Sequence, residues 1–247
     1  IGDSRTVGNQ SSDMTWCSGR ELERLRRRVP NLTWRDDNDQ RKMVDTWAAT
    51  AIVRLFSRLR VTRGMRLVTI AARQRGGGNG WTFALPADAP LPDPFGIESA
   101  EEFVPEPPEG ALASVMDGIT GDGSLRSFVQ ASILVRELEE LGAFWHGVEW
   151  ATHSLLDRGE NLDGARYMPV FSPDLEGAGW TWIEDEPADL RPFARREGSE
   201  VTVCFWTYSA LSRQRVVRHL DTYRSDSLTM IGSSEETIAT GSSGFIF

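Results

Sequence analysis

Two stretches that contain histidine carry the residue types that could do chemistry. In the first, His146, Glu149 and His153 lie at i, i+3 and i+7, which places all three on one face of a helix. A His-Glu-His set of this kind can bind a metal ion. On a strand, His146 points away from both of the other side chains, and no such site forms. Because Gly142 and Gly147 disfavour a helix, we expect a buried core strand, hydrogen-bonded histidines and no metal site.

The second stretch places His219 and Asp221 two residues apart. On a strand these side chains share a face, where the carboxylate would raise the pKa of the histidine and orient its ring. Catalysis also requires a nucleophile or a substrate pocket, and no motif positions a serine beside this pair. The candidate catalytic residues are therefore His219, Asp221 and His146. The alternative is a polar strand face with cross-strand ion pairs, and an enzyme is the less favoured interpretation.

Other common functional motifs are missing from the sequence. The glycine-rich residues 76–80 lack the GK[ST] ending of a P-loop and lead into a strand, so they indicate a hairpin turn. The segment 117–124 has too few acids for a calcium loop. Cys17 and Cys204 are far apart and outside any CxxC motif, so we expect two reduced thiols and no zinc site. We expect no cofactor.

Charge is segregated along the chain. Residues 17–75 contain 15 basic and 6 acidic residues, whereas residues 76–187 contain 4 basic and 21 acidic residues. The whole chain has a net charge of −9, and Lys42 is its single lysine. A basic first quarter in an acidic protein suggests an anionic partner. Alternatively, the two blocks face each other within the fold or across a subunit interface.

The candidate partner-binding residues belong to the basic block. They are arginines in two predicted helices: Arg20, Arg24, Arg27, Arg28, Arg54 and Arg58. Guanidinium groups suit phosphate oxygens as well as carboxylates, and Trp16 and Trp34 could stack on bases. Nucleic-acid binding is therefore an alternative, although no helix-turn-helix, zinc-finger or RRM pattern supports it. The simpler interpretation is a protein interface or a solvated helix face.

Hydrophobic periodicity predicts three main helices. Ser18 is the expected N-cap of a helix over residues 19–29. A second helix is predicted from about residue 38 to residue 60, where apolar residues recur at i, i+3 and i+4. Ser124 is the expected N-cap of the third helix, over residues 125–144.

Strand patterns surround these helices. Residues 66–74 and 80–86 predict a hairpin whose turn ends at Asn79-Gly80. After Gly142 come short β-rich segments: FWHGVEW, GWTWIED, SEVTVCFWTYS, RQRVVRHLDTY and ETIATG followed by FIF. The predicted fold class is α+β, with N-terminal helices and a hairpin, then a helix packed on a C-terminal antiparallel sheet.

The nine tryptophans are a further compositional feature. Trp180 and Trp182 would share one strand face, while Trp145 and Trp206 belong to other predicted strands. We expect one aromatic core layer, and a groove for an apolar ligand is the alternative.

Composition changes divide the chain into segments. We expect an extended polar arm over 1–16, a basic helical and hairpin lobe over 17–86, an acidic proline-rich linker over 87–110 and a helix plus antiparallel β lobe over 111–247. The two lobes can also form one domain. No run of residues is apolar enough for membrane insertion, so a soluble, intracellular and cytoplasmic protein is expected. Because the sequence begins with Ile1, organelle import is a second expectation.

These observations favour a non-catalytic interaction or assembly protein, a subunit or accessory factor of a larger complex. Its expected partners are other protein subunits, copies of itself included. The alternatives are nucleic-acid binding through the arginine-rich helices, and an enzyme with a His/Asp site in the C-terminal β lobe.

Overall fold

Antiparallel strands dominate the fold, and α-helices pack against them. The computed structural model describes residues 13–30, 40–74, 77–93, 105–144, 148–157 and 181–241. Its helices are α1 (Gly19–Arg26), α2 (Ala48–Leu55) and α3 (Leu125–Glu139), with short 3-10 helices at Val115–Gly118 and Trp150–Thr152. Its strands are β1 (Asp13–Trp16), β2 (Gln40–Asp45), β3 (Leu59–Val61), β4 (Met65–Gln74), β5 (Gly77–Pro86), β6 (Ile119–Gly121), β7 (Ser154–Leu155), β8 (Thr181–Trp182), β9 (Phe193–Glu197), β10 (Glu200–Ser209), β11 (Arg215–Arg224) and β12 (Met230–Thr240). The predicted α+β class is confirmed.

The largest sheet is a curled antiparallel half-barrel formed mainly by the C-terminal strands. Its order is β1-β9-β10-β11-β12-β8, and β7 pairs with β10 beyond the end of β9. A second sheet has the order β2-β4-β5, and β3 pairs with β6. Helix α3 packs on the half-barrel, as the sequence predicted, and it contacts α2 and β5 as well. It therefore joins the two larger sheets.

The half-barrel buries side chains on both of its faces. On the face covered by α3, here called the helix-facing side, Val203 and Phe205 join the main core. On the opposite face, Cys204, Trp206 and Tyr208 form a second apolar cluster. This alternation follows from the two-residue period of a strand. A strand buried on both faces is continuously apolar, which explains the VTVCFWTY run of β10.

The predicted starts of two helices are confirmed by their caps. The Ser18 hydroxyl accepts a hydrogen bond from the Glu21 N–H, and the Ser124 hydroxyl accepts one from the Ser127 N–H. The apolar residues of α3 lie in the main core. The two cysteines are free, and burial raises the pKa of Cys204 to about 12, which makes its thiol unreactive.

The helix predicted from about residue 38 to residue 60 is wrong at both ends. Residues Gln40–Asp45 form β2 and pair with β4, and Leu59–Val61 form β3. The Asp45 carboxylate accepts hydrogen bonds from the N–H groups of Trp47 and Ala48, which ends the strand and begins α2. The apolar residues of the predicted helix therefore belong to two elements, the strand β2 and the helix α2, and each element buries its own part of the segment.

The hairpin of β4 and β5 is confirmed, but its predicted turn at Asn79-Gly80 is wrong. Gly80 pairs with Ala71 inside the ladder, and the pairing extends to Gln74 and Gly77. A Cβ on Gly80 would lie 1.7 Å from the Leu141 carbonyl oxygen. Glycine is therefore required here because the chain after α3 crosses close to the strand.

Two other segments differ from the sequence prediction. Residues 13–16 of the predicted arm form β1, which pairs with β9, a strand that was not predicted. In the stretch predicted as the strand FWHGVEW, Phe144 makes one isolated bridge to Gly78, and Trp150 begins a 3-10 helix. Trp145 and Trp180 lie outside the described residues. Within the described ranges, no helix has the length and apolar character needed to cross a bilayer.

Candidate functional site

Polar side chains from α3 and β11 meet in a regular ladder on the helix-facing side of the half-barrel. The hydroxyls of Ser132 and Tyr223 lie 2.7 Å apart, and Arg136 donates two hydrogen bonds, of 2.7 and 3.0 Å, to the Asp221 carboxylate. Four helical residues rise about 6 Å and two strand residues about 6.7 Å, so an i, i+4 pair on the helix matches an i, i+2 pair on the strand. This match in rise allows both contacts to form together.

The predicted pair of His219 and Asp221 lies on this side of β11, but the two residues have different partners. The Asp221 carboxylate binds Arg136 and accepts a hydrogen bond of 2.8 Å from the Ser233 hydroxyl. The His219 ring instead contacts Glu235, the residue directly across from it on β12, with 2.9 Å between Nδ1 and Oε1. The carboxylate that orients His219 is therefore Glu235.

A chain of hydrogen bonds runs inward from this carboxylate. The Nε2 atom of His219 lies 2.8 Å from the Thr207 hydroxyl, which lies 2.7 Å from Nδ1 of His153. Glu235 is 53% exposed, whereas His219, Thr207 and His153 are at most 3% exposed. The chain therefore connects the solvent to the core through side chains on three strands and the loop before β7.

The acid at one end of this chain sets the positions of its protons. An ionised Glu235 accepts the Nδ1 proton of His219, so Nε2 of a neutral His219 has a free lone pair and accepts from the Thr207 hydroxyl. The Thr207 oxygen then accepts the Nδ1 proton of His153. Both histidines are thus assigned as neutral Nδ1–H tautomers, and the Nδ1 proton of each ring has an acceptor.

Burial keeps both rings neutral. Burial, reinforced by the nearby His219 and Arg215, lowers the pKa of His153 from 6.5 to about 3. Burial also lowers the pKa of His219, although Glu235 acts in the opposite direction. Asp221 and Glu235 both raise the pKa of His219, as the sequence predicts for a nearby carboxylate, but desolvation is the larger effect and the net shift is downward. The hydrogen bond from His219 lowers the pKa of Glu235 to about 2.

A second polar cluster surrounds Arg26, whose side chain is fully buried. Its Nε donates to Glu137 at 2.6 Å, and one terminal nitrogen donates to Glu23 at 3.1 Å and to the carbonyl of His153 at 2.6 Å. The other terminal nitrogen donates to the carbonyl of Trp150 at 2.9 Å. Burial alone would lower the pKa of Arg26, but Glu23 and Glu137 raise it above its ordinary value.

Trp150 lies between the two clusters. Its indole N–H donates to Glu137 at 2.9 Å, and the guanidinium of Arg26 lies 4.1 Å from its ring centroid. The edge of its ring contacts His219, at 5.9 Å between centroids. The 3-10 helix that begins at Trp150 is held by Glu140, whose carboxylate accepts hydrogen bonds from consecutive backbone N–H groups of this helix.

Of the three residues predicted as a possible metal site, the two that the structure describes have different partners. His146 lies outside the described residues. Glu149 is exposed and accepts a hydrogen bond of 3.0 Å from Arg215, while His153 points into the core toward Thr207. Over the described part of the chain, no group of three potential ligand side chains is placed to hold a metal ion.

The order Glu235, His219 and Thr207 has the chemical form of an acid, a base and a hydroxyl nucleophile. A nucleophile must reach its substrate, however, and the Thr207 hydroxyl is completely buried and bonded to two rings. The arrangement is therefore suited to fixing side chains in place.

The predicted partner-binding arginines are mostly on the surface. Arg20, Arg24, Arg27 and Arg28 are exposed on α1 and the turn that follows it, and Arg54 is exposed on α2. Arg58 is exposed as well and forms an ion pair of 2.9 Å with Asp122, and Arg27 lies 3.8 Å from the Glu23 carboxylate.

The residues at the centre of the two clusters were missed by the sequence analysis: Arg26, Arg136, Glu137, Trp150, Thr207 and Glu235. For two of them a signal was present. Arg26 lies four residues after Leu22 and three before Val29, so it falls on the apolar face of its helix. Glu137 lies at the same kind of spacing between Ile133 and Leu141. A charge on an apolar helix face predicts a buried ion pair.

No protein family, curated protein or solved structure matches this chain. The function must therefore be argued from the residues of the chain itself.

The Arg26 cluster predicts a large difference between neighbouring arginines. Replacing Arg26 by Met leaves two buried carboxylates without their cation, and we expect a loss of about 3–5 kcal/mol in the free energy of unfolding. Arg24→Met, on the exposed face of the same helix, should change it by no more than about 0.5 kcal/mol. Urea unfolding of both variants measures the difference, and equal stabilities would contradict the assigned role of Arg26.

The buried histidines predict that stability falls in acid. The pKa of His153 is lower in the folded protein (about 3) than its ordinary value of 6.5, so the unfolded chain binds the additional proton between these values. The free energy of unfolding should therefore decrease by about 1.4 kcal/mol per pH unit for this histidine as the pH falls through that window. Urea unfolding at several pH values measures this slope. His153→Asn keeps an N–H donor near the Nδ1 position and should show a smaller slope, whereas an unchanged slope would contradict the assignment.

Proposed function

We propose that this chain is a non-catalytic interaction protein, a subunit or accessory factor of a larger complex, that binds an acidic partner through the outward face of α1. The observation that carries this proposal is the row of exposed arginines on α1, a helix whose opposite face is anchored to the core. Arg20 and Arg24 lie four residues apart on α1, Arg28 follows in the turn after the helix, and all three are exposed.

This row of like charges has an energetic consequence. Cations at i, i+4 on a helix repel one another and destabilise it by a few tenths of a kcal/mol per pair. An acidic partner surface would remove that repulsion, and guanidinium groups form bidentate contacts with carboxylates. Arginines that repel one another in the free chain, and lose that repulsion when an acidic partner binds, favour formation of the complex.

The inner face of α1 holds the helix in a fixed position. Arg26 binds Glu137 of α3, and its guanidinium also contacts the backbone at Trp150. At the other end of the helix, the Asp157 carboxylate accepts hydrogen bonds from the Ser18 hydroxyl and from the Arg20 N–H, at 3.0 and 3.2 Å. A helix anchored at both ends loses little conformational entropy when a partner binds.

The histidine chain supports the non-catalytic part of the proposal. Its imidazoles are buried and neutral, and its hydroxyl already has two partners. An active site would instead require at least one of these groups to be available to a substrate.

A protein partner is favoured over a nucleic acid by the position of Trp16. The Trp16 ring packs against Phe193, with 5.0 Å between centroids, and Arg191 lies over its face at 4.9 Å. These contacts occupy the ring surface on which a base would stack. Trp34, the second predicted stacking residue, lies outside the described residues.

The proposal predicts that reversing two charges on α1 abolishes binding to the partner. Affinity purification from cells of the source organism, quantified by mass spectrometry, should recover a specific protein whose yield falls at least about tenfold with Arg24→Glu/Arg28→Glu. Arg60→Glu/Arg63→Glu makes the same charge change at exposed positions after α2 and should leave recovery unchanged. Equal loss with both variants, or no α1-dependent protein, would contradict the proposal.

Direct titration with RNA and DNA tests the alternative that α1 binds a nucleic acid. Binding to a single-stranded RNA or duplex DNA that weakens steeply between about 50 and 200 mM salt, and that is lost with the α1 variant, would replace the protein partner with a nucleic acid.

A further inference from the structure

The open edge of strand β12 provides a second surface, separate from α1. Among the described residues, the strand that pairs with β12 on the side away from β11 is β8, which reaches only Ala239 and Thr240. The adjacent Ile183 N–H donates to the Ile238 carbonyl at 2.8 Å, after which residues 184–188 leave the sheet. Strand β8 therefore pairs only with the C-terminal end of β12, and the edge of β12 before Thr237 extends past β8.

This part of β12 is regular and accessible. Register shifts in its pairing with β11 occur between Val216 and Val217 and between Thr222 and Tyr223, and the segment 232–237 between them pairs without interruption. Residues 231–236 are exposed. A segment of six residues is about the length of an average strand, which makes it long enough to accept another. Edge groups of this kind are templates for strand addition.

The edge is acidic on both faces of the sheet. On the helix-facing side, Glu235 is exposed beside the buried Asp221, and Arg136 is the cation that binds them both. On the opposite face, Arg218 binds Glu184 and Glu236 at 2.7 and 2.6 Å. Among the described residues that form these ion pairs, carboxylates outnumber guanidinium groups on each face, because His219 is neutral. An added strand would meet excess negative charge from both directions.

We propose that the β12 edge binds an extended cationic segment of a partner protein by antiparallel or parallel strand addition. Basic side chains on both faces of that segment would lie beside Glu235 on one side and Glu236 on the other, while its backbone would pair with 232–237. A second copy of β12 is a poorer occupant, since pairing two such edges would bring acidic side chains of the same sign together.

This inference is independent of the α1 proposal, because it uses different residues and a synthetic probe. The probe is a capped, fluorescein-labelled heptapeptide, Val-Arg-Arg-Thr-Arg-Arg-Val, whose binding to the whole chain is measured by fluorescence anisotropy. A second peptide of the same sequence carries N-methyl groups on its five central residues and keeps the charge of the first. Its central backbone cannot donate to a neighbouring edge in either register of pairing.

Strand addition predicts that the methylated peptide loses binding by at least about tenfold, because N-methylation removes the donors that pair with β12 and leaves the charge unchanged. Equal binding by the two peptides, or no binding by the unmodified peptide, would overturn the proposal, and the former would indicate attraction by charge alone. Hydrogen exchange of the amides of residues 232–237 should slow when the peptide binds.

Charge variants locate the surface. Glu236→Lys should weaken binding of the peptide by at least about tenfold. Glu197→Lys makes the same change at an exposed position on β9, which β10 and β11 separate from β12, and should have little effect. Equal weakening by the two variants would overturn the assignment to β12. If sedimentation instead reveals a dimer that Glu236→Lys alters, the occupant is a second copy and the cationic segment is wrong.

Discussion

The burial of the Arg26 guanidinium is the constraint on which the rest of the described structure depends. A cation without contact with water must have anionic partners and filled hydrogen-bond positions, or the fold that encloses it loses several kcal/mol. Here the partners come from α1, from α3 and from the backbone at Trp150 and His153. These segments are far apart in the chain, so one side chain fixes where α1, α3 and the start of β7 lie relative to each other.

The histidine chain extends the same principle into the half-barrel. Glu235 fixes the tautomer of His219, which fixes the Thr207 hydroxyl and then His153, whose own carbonyl binds Arg26. Hydrogen bonds to His153 therefore connect the two polar clusters, because its ring belongs to the histidine chain and its carbonyl binds Arg26. Polar groups that satisfy one another in this way specify a single arrangement of the elements, at the cost of being unavailable for chemistry. The charged groups proposed to contact a partner lie on the surface. They are the arginines of α1 and the acidic edge of β12, which carry opposite charge.

Local patterns in the sequence predicted the local parts of this structure. Ser18 and Ser124 are recognisable as caps because a cap involves residues only three apart, and the α3 face follows from its period. The boundary at Asp45 was missed since β2 depends on pairing with β4, which the residues of β2 do not encode by themselves. The pairing of His219 with Glu235 depends on the register of β11 and β12, and the contact between Arg26 and Glu137 joins residues 111 positions apart. Asp221 was expected to orient His219 because it is close in sequence, whereas the true neighbour lies across the ladder.

The protonation of the buried histidines tests the central claim, that these groups are committed to internal hydrogen bonds. Nitrogen-15 NMR of the imidazole rings distinguishes the two neutral tautomers and the charged form, and His146→Gln removes the third signal from the spectrum. We expect His153 to be a neutral Nδ1–H tautomer from about pH 5 to 8, and the neutral form of His219 to be the Nδ1–H tautomer. An imidazolium signal from His153 at about pH 6, or the opposite tautomer in either ring, would contradict it.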